Sequence, residues 1–116
     1  MADYQADYQY AQVVTTTDSR EAADVLARSA VEARLAACAQ VLGPVQSTYW
    51  WEGKIDSSEE WYVVFKTTAE RYPDLERHIR ERHSYDVPEI VLTPILAGNP
   101  AYLSWISEET TPTRSS

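Results

Sequence analysis

A chain of 116 residues has room for one domain and one core. Its 10 Lys and Arg against 18 Asp and Glu leave a net charge of −8, which disfavours nucleic acid and anionic membranes, partners that require cationic surface. One cysteine, Cys38, excludes an intrachain disulfide, a CxxC redox pair and a zinc ribbon.

The first ten residues hold a short repeat, Ala2-Asp3-Tyr4-Gln5 then Ala6-Asp7-Tyr8-Gln9. Two copies of four residues bury nothing, so residues 1–10 are expected to be a flexible arm. Residues 108–116, small and polar from Thr110, are expected to be a flexible tail. Residues 11–107 form the single domain between them. The N-terminus has no basic-then-apolar leader and no apolar run spans a bilayer, so a cytoplasmic protein is expected.

Gln12 to Thr16 is β-branched and predicts a first strand. Asp18-Ser19-Arg20-Glu21 predicts an N-cap with an acid behind it, opening a helix. That helix is expected to turn Ala22, Val25, Leu26, Ser29, Ala33 and Ala37 toward a sheet. Cys38 to Leu42 reads as a second strand, interrupted at Gly43-Pro44 by a kink or bulge and resumed from Val45 to Trp51. Glu52-Gly53-Lys54 is a turn, and Ile55 to Glu60 begins the return. Trp61 to Thr68 is apolar on both faces and is expected inside the sheet. A second helix carries Pro73 in its first turn and Tyr72, Leu75 and Ile79 at helical spacing, with His78 expected to face solvent. It closes with Arg80, Arg82 and His83. Val87-Pro88 breaks the chain and Glu89 to Leu96 is a fourth strand. Asn99-Pro100 caps a short last helix.

The order predicts an α+β fold: a ferredoxin-like β-α-β-β-α-β sandwich with a long middle hairpin and an extra C-terminal helix. The hairpin is longer than four strands need, and its bare edges must be covered. Four Trp and eight Tyr are many for one small core. Together they predict an oligomer, with Trp50, Trp51, Trp61 and Trp105 as interface candidates.

Five segments, in order from about Val13 to Trp105, resemble the CutA divalent-cation-tolerance family. They are Ala33 to Val41 with its Leu-Ala-Ala-Cys run, Ser47 to Lys54, Glu60 to Thr68, His83 to Ile90, and Gly98 to Ile106. Ser84 stands where the family's His-Pro-Tyr has proline. The resemblance implies a homotrimer arranged like the PII signalling proteins. It also implies a role in tolerance of copper and other divalent metals, with no organic cofactor.

Cys38 is a small buried hydrophobe or a ligand for Cu(I) or Zn. His83 caps a helix or, beside Tyr85, Asp86 and Glu89, ligates Cu(II) or Zn. Cys38, His83 and Glu89 are therefore the metal candidates. Lys66, one of two lysines, needs a carboxylate or an anionic ligand, and Glu89 is its expected partner. An inter-subunit cleft of Lys66, Trp51, Tyr85 and Glu89 is the alternative site, holding a small anion without metal, as the resemblance to PII trimers implies. There is no GxSxG, HExxH, P-loop or GxGxxG, so no enzyme is expected. Two functions stand: a metal-binding tolerance protein, or a PII-like trimeric binding module.

Overall fold

The computed structural model describes residues 7–112. Most of the tyrosine-containing repeat and the last four residues lie outside that span. Seven elements follow one another: β1 (Tyr10–Thr17), α1 (Arg20–Glu32), β2 (Cys38–Trp51), β3 (Lys54–Thr68), α2 (Tyr72–Arg82), β4 (Ile90–Ile95) and α3 (Pro100–Glu109). The sheet order is β2-β3-β1-β4, and every neighbouring pair is antiparallel. This is the ferredoxin-like split βαβ arrangement, with β3 inside the sheet as its two-sided apolar sequence requires.

Local chemistry sets the boundaries. Ser19 Oγ accepts from the Ala22 N–H at 3.1 Å and opens α1. The helix closes in a Schellman motif, with Leu35 N–H donating to Ala30 O and Arg34 N–H to Val31 O, both at 3.0 Å. Arg34 sits at φ 62°, a left-handed conformation that costs a non-glycine residue about 1 kcal/mol. Its guanidinium reaches α3, giving Glu109 Oε1 a 2.7 Å ion pair and the Glu109 carbonyl a 3.2 Å bond. Asn99 caps α3 through Ala101 N–H, and α3 runs to Glu109. Thr110 behind it is buried, its hydroxyl donating to Ile106 O at 2.8 Å.

One face of the sheet carries Val13, Val63 and Phe65 against Leu26 of α1 and Leu75 and Ile79 of α2. Each such side chain contributes roughly 1.5–3 kcal/mol by leaving water. The buried stripe of α1 is Ala23, Leu26 and Ala30, not the expected one: Val25 is 68% exposed. The chain turns at Arg34, so Ala37 lies beyond the helix and pairs with the Lys66 carbonyl at 2.8 Å. Ser29 serves α2 instead, its Oγ 2.8 Å from His78 Nε2.

His78 is therefore buried, against the solvent-facing placement its polarity suggests. It shares the inward side of α2 with Leu75 and Ile79. Burial, and then the charge of Arg82, lower its pKa below 6.5. A depressed base is less protonated folded than unfolded, so its stabilising effect is present above pH 6.5 and is lost as pH falls toward the folded value. The urea midpoint of the wild type should thus drop more between pH 7 and pH 5 than that of His78→Gln; parallel drops would refute a buried neutral imidazole.

Thr15, also on the core face, is fully buried and its Oγ1 has no hydrogen-bond partner. Replacing a desolvated, unbonded hydroxyl by a methyl should stabilise by about 1 kcal/mol. Thr15→Val is expected to raise the thermal midpoint by several degrees. A lowered midpoint would mean that the hydroxyl is bonded.

The β2–β3 hairpin outruns the sheet. β1 pairs with β3 only over Trp61–Thr68, leaving Val45–Trp51 and Lys54–Glu60 as a two-stranded arm. At ~3.4 Å per residue the arm extends about 20 Å. Its turn places Glu52 at φ 49° and Gly53 at φ 79°, the pair of positive angles of a type I′ hairpin. The expected interruption at Gly43-Pro44 is a register shift between Leu42 and Val45.

Candidate functional site

The segment between α2 and β4 is tied to the sheet at two points. His83 ends α2, and its Nδ1 accepts from the Tyr85 N–H at 3.1 Å. The other nitrogen therefore carries the proton, and Nε2–H donates to the Thr16 carbonyl at 2.7 Å. One ring nitrogen accepts and the other donates, so His83 has no free nitrogen for a metal. The Tyr85 ring lies 4.8 Å from the His83 ring, and its hydroxyl donates to Glu60 Oε2 at 2.8 Å. Glu60 is buried. Burial, the Glu60 bond and charge, and Asp18 and Tyr49 together raise the Tyr85 phenol well above its ordinary value, so it remains a donor.

At the other end of the same face, Cys38 begins β2. Its Sγ lies 3.6 Å from Tyr102 Oη, and Tyr102 stacks on Trp105 with centroids 5.6 Å apart. The thiol contact, then burial, raises the Tyr102 phenol. Lys66 sits opposite Cys38 in register, and its ammonium donates to Gln40 Oε1 at 3.1 Å.

The expected Lys66–Glu89 pair does not form within the chain. β1 lies between β3 and β4, so the two strands are not neighbours. Lys66 is level with Gln12 and Thr93, whereas Glu89 precedes Ile90, which is level with Thr15. The offset is about 13 Å along the strands as well as two strands across. Trp51 stands at the arm tip opposite Lys54, so Lys66, Trp51, Tyr85 and Glu89 are spread along the molecule rather than gathered. Cys38, level with Gln12, lies at the other end of the sheet from His83, which bonds the Thr16 carbonyl, and from Glu89, which precedes Ile90 at the level of Thr15. Among the described residues no three His, Cys, Asp or Glu side chains are placed to hold a metal ion. The metal candidates therefore do not fit a copper or zinc ion as a set within one chain.

Of the four tryptophans, Trp61 packs against the core and Trp105 stacks on Tyr102. Trp50 and Trp51 remain exposed, at 72% and 59%, with Ile55 opposite Trp50 at 65%. Sequence reasoning missed the Tyr85–Glu60 bond. A glutamate alternating with Tyr62 and Val64 on one strand face is the signal that could have shown Glu60 as buried.

Residues 11–109 match the family described as CutA1 divalent ion tolerance protein. The chain belongs to that family. It is 40% identical over 98 residues to the divalent-cation tolerance protein CutA of Thermus thermophilus, covering 84% of this chain and 95% of that one. It is 38% identical over 98 residues to the chloroplastic protein CutA 1 of Oryza sativa subsp. japonica, covering 84% of this chain and 55% of the relative. The chain thus spans about half the length of that plant relative. The crystal structure of CutA1 from Oryza sativa superposes with a TM-score of 0.87 at 35% identity, covering 91% of this chain and 97% of that one. Divalent-cation tolerance is the role for which the family is named. Among the described residues no helix is long and apolar enough to cross a membrane.

Proposed function

We propose that this protein acts in divalent-cation tolerance, copper included, as a homotrimer without catalytic activity, and that cations are captured between copies rather than within one. The observation that carries this reading is the arm. It projects beyond the sheet with two exposed indoles and an exposed isoleucine at its tip, and β2 leaves an outer edge unpaired. Apolar surface and bare strand edges of this kind are what a second copy covers. Trp61 and Trp105 already have partners within the chain, so the contact falls to Trp50 and Trp51 with Ile55. With both His83 nitrogens engaged, Cys38 and Glu89 are the remaining ligands, and their separation in one chain means that different copies supply them.

Light scattering and metal titration together test this. The wild type at low micromolar concentration should have the mass of three chains, and Trp51→Ala should lower it. Copper titrated into the reduced protein should saturate at three ions per trimer, because each of the three equivalent interfaces repeats the Cys38–Glu89 site, and Cys38→Ser should abolish that saturation. An unchanged mass for a Trp50→Ala, Trp51→Ala double variant would overturn the interface. Copper binding that is equally tight in a variant that no longer assembles, or binding indifferent to Cys38→Ser, would overturn capture between copies.

A further inference from the structure

We infer that the groove between the residues leading into β1 and the start of α3 binds a small organic cation, an ammonium group carrying aliphatic substituents. Its walls come from three parts of the chain: Asp7, Tyr8 and Tyr10, then Ile95 and Leu96 at the end of β4, then Leu103 of α3. Each wall is fixed. The Gln9 carbonyl accepts from the Ala69 N–H at 2.8 Å, which ties the entering segment to the end of β3. Tyr10 lies opposite Ile95 in the ladder, and its oxygen accepts from Ser107 Oγ at 3.0 Å, which ties β1 to α3. That bond occupies the hydroxyl, so what Tyr10 adds to the groove is its ring. Gly98 packs so closely on Leu103 that an added Cβ would stand 3.3 Å from Leu103 Cδ2, which draws the β4–α3 linker against the helix. The space between the walls is about 270 Å³, the room of roughly nine waters, and it suits a tetraalkylammonium head.

The chemistry of the walls selects the charge. Leu96 is 85% exposed and contributes a bare aliphatic side chain, with Ile95 and Leu103 half-buried beside it. Asp7 is the one ionised residue of the lining, and among the described residues it forms no ion pair. No cation competes for it. Lys66 lies two positions along β3 from Thr68, the partner of Tyr10, and its ammonium is turned to Gln40 on β2. Arg34, on the α3 side, is held by Glu109. The face of a tyrosine ring is the negative side of its quadrupole, so two such rings and a carboxylate attract a positive charge. The three aliphatic side chains take its substituents. A phosphate or carboxylate would meet Asp7 with nothing to offset the repulsion. A divalent metal ion would find one carboxylate where it needs several oxygens. The site goes beyond cation tolerance: it is complete within one chain, uses none of the metal candidates and does not need the arm contact.

The test titrates choline chloride into the intact protein by calorimetry, beside its uncharged carbon isostere neohexyl alcohol and sodium chloride at matched ionic strength. Choline should bind saturably. The isostere should bind about tenfold more weakly, since it keeps the shape and loses the attraction of both rings and carboxylate. Asp7 is exposed and precedes β1, so Asp7→Asn should fold as the wild type does. It should weaken choline about threefold and leave the isostere unchanged. Leu96→Ala should weaken choline and the isostere alike, because it removes only apolar contact. Equal binding of choline and isostere, no heat beyond the sodium chloride control, or full choline affinity in Asp7→Asn would overturn the site. So would unchanged affinity for both probes in Leu96→Ala, which would place them elsewhere. Magnesium chloride at the same concentration should not displace choline; displacement would show that the acidic surface, rather than the groove, draws the cation. Copper stoichiometry should be the same in wild type and Asp7→Asn, which separates this outcome from that of the cation-tolerance reading.

Discussion

Gly43→Ala should destabilise the protein by about 3 kcal/mol, the largest loss expected of a methyl added at any of its three glycines. Two effects combine. Gly43 has φ 148°, a region that a residue with a Cβ rarely adopts. An added Cβ would also stand 2.8 Å from Trp61 Cδ1 and 3.1 Å from both Glu60 O and Trp61 Cα. The indole ring can shift, but two of the three obstructing atoms are β3 backbone, which cannot move without breaking the ladder. A drop in thermal midpoint of more than about 10 °C is expected at this size. A drop of under about 2 °C would mean that the bulge relaxes freely. Gly53→Ala at the arm tip is the control, since nothing lies within 4 Å of its added Cβ and only its φ of 79° opposes it.

Tyr85→Phe is the second large effect. It deletes one oxygen, yet it leaves the buried Glu60 carboxylate without the donor that bonds it at 2.8 Å. Loss of a hydrogen bond to a charged group, with the charge left in place, costs roughly 2–3 kcal/mol. Glu60→Gln should cost less, because a neutral amide tolerates desolvation better. Once glutamine replaces Glu60, the further cost of Tyr85→Phe should fall to about 1 kcal/mol. Strict additivity of the two substitutions in urea denaturation would show that the hydroxyl and the carboxylate do not interact.

The features legible in the sequence are those set by neighbours along the chain. The Ser19 cap, the Asn99-Pro100 start of α3, the Gly43-Pro44 interruption and the two-sided apolar run of β3 each declare themselves within a few residues. What is not legible depends on elements far apart in sequence. His78 looks like a surface residue until α1 brings Ser29 to it across 49 positions. Lys66 and Glu89 look like a natural pair until β1 comes between their strands. The α1 stripe is hard to place because alanines occupy both flanks of the helix, and small side chains mark no boundary between core and solvent. Tyr85 reaches Glu60 only because the loop folds back over β3, which no local spacing encodes.

The arginine that ends α1 has a consequence for how the molecule comes apart. A glycine at that position would relieve the backbone and leave the helix end independent. Arg34 instead holds a costly conformation whose compensating contacts lie 75 positions away on the last helix. When α3 detaches, the cost at Arg34 remains and its compensation is gone, so the end of α1 loosens in the same event. Two segments from opposite ends of the domain are thereby joined in one cooperative unit, and their amide protons should exchange with solvent through a shared opening rather than through separate fraying.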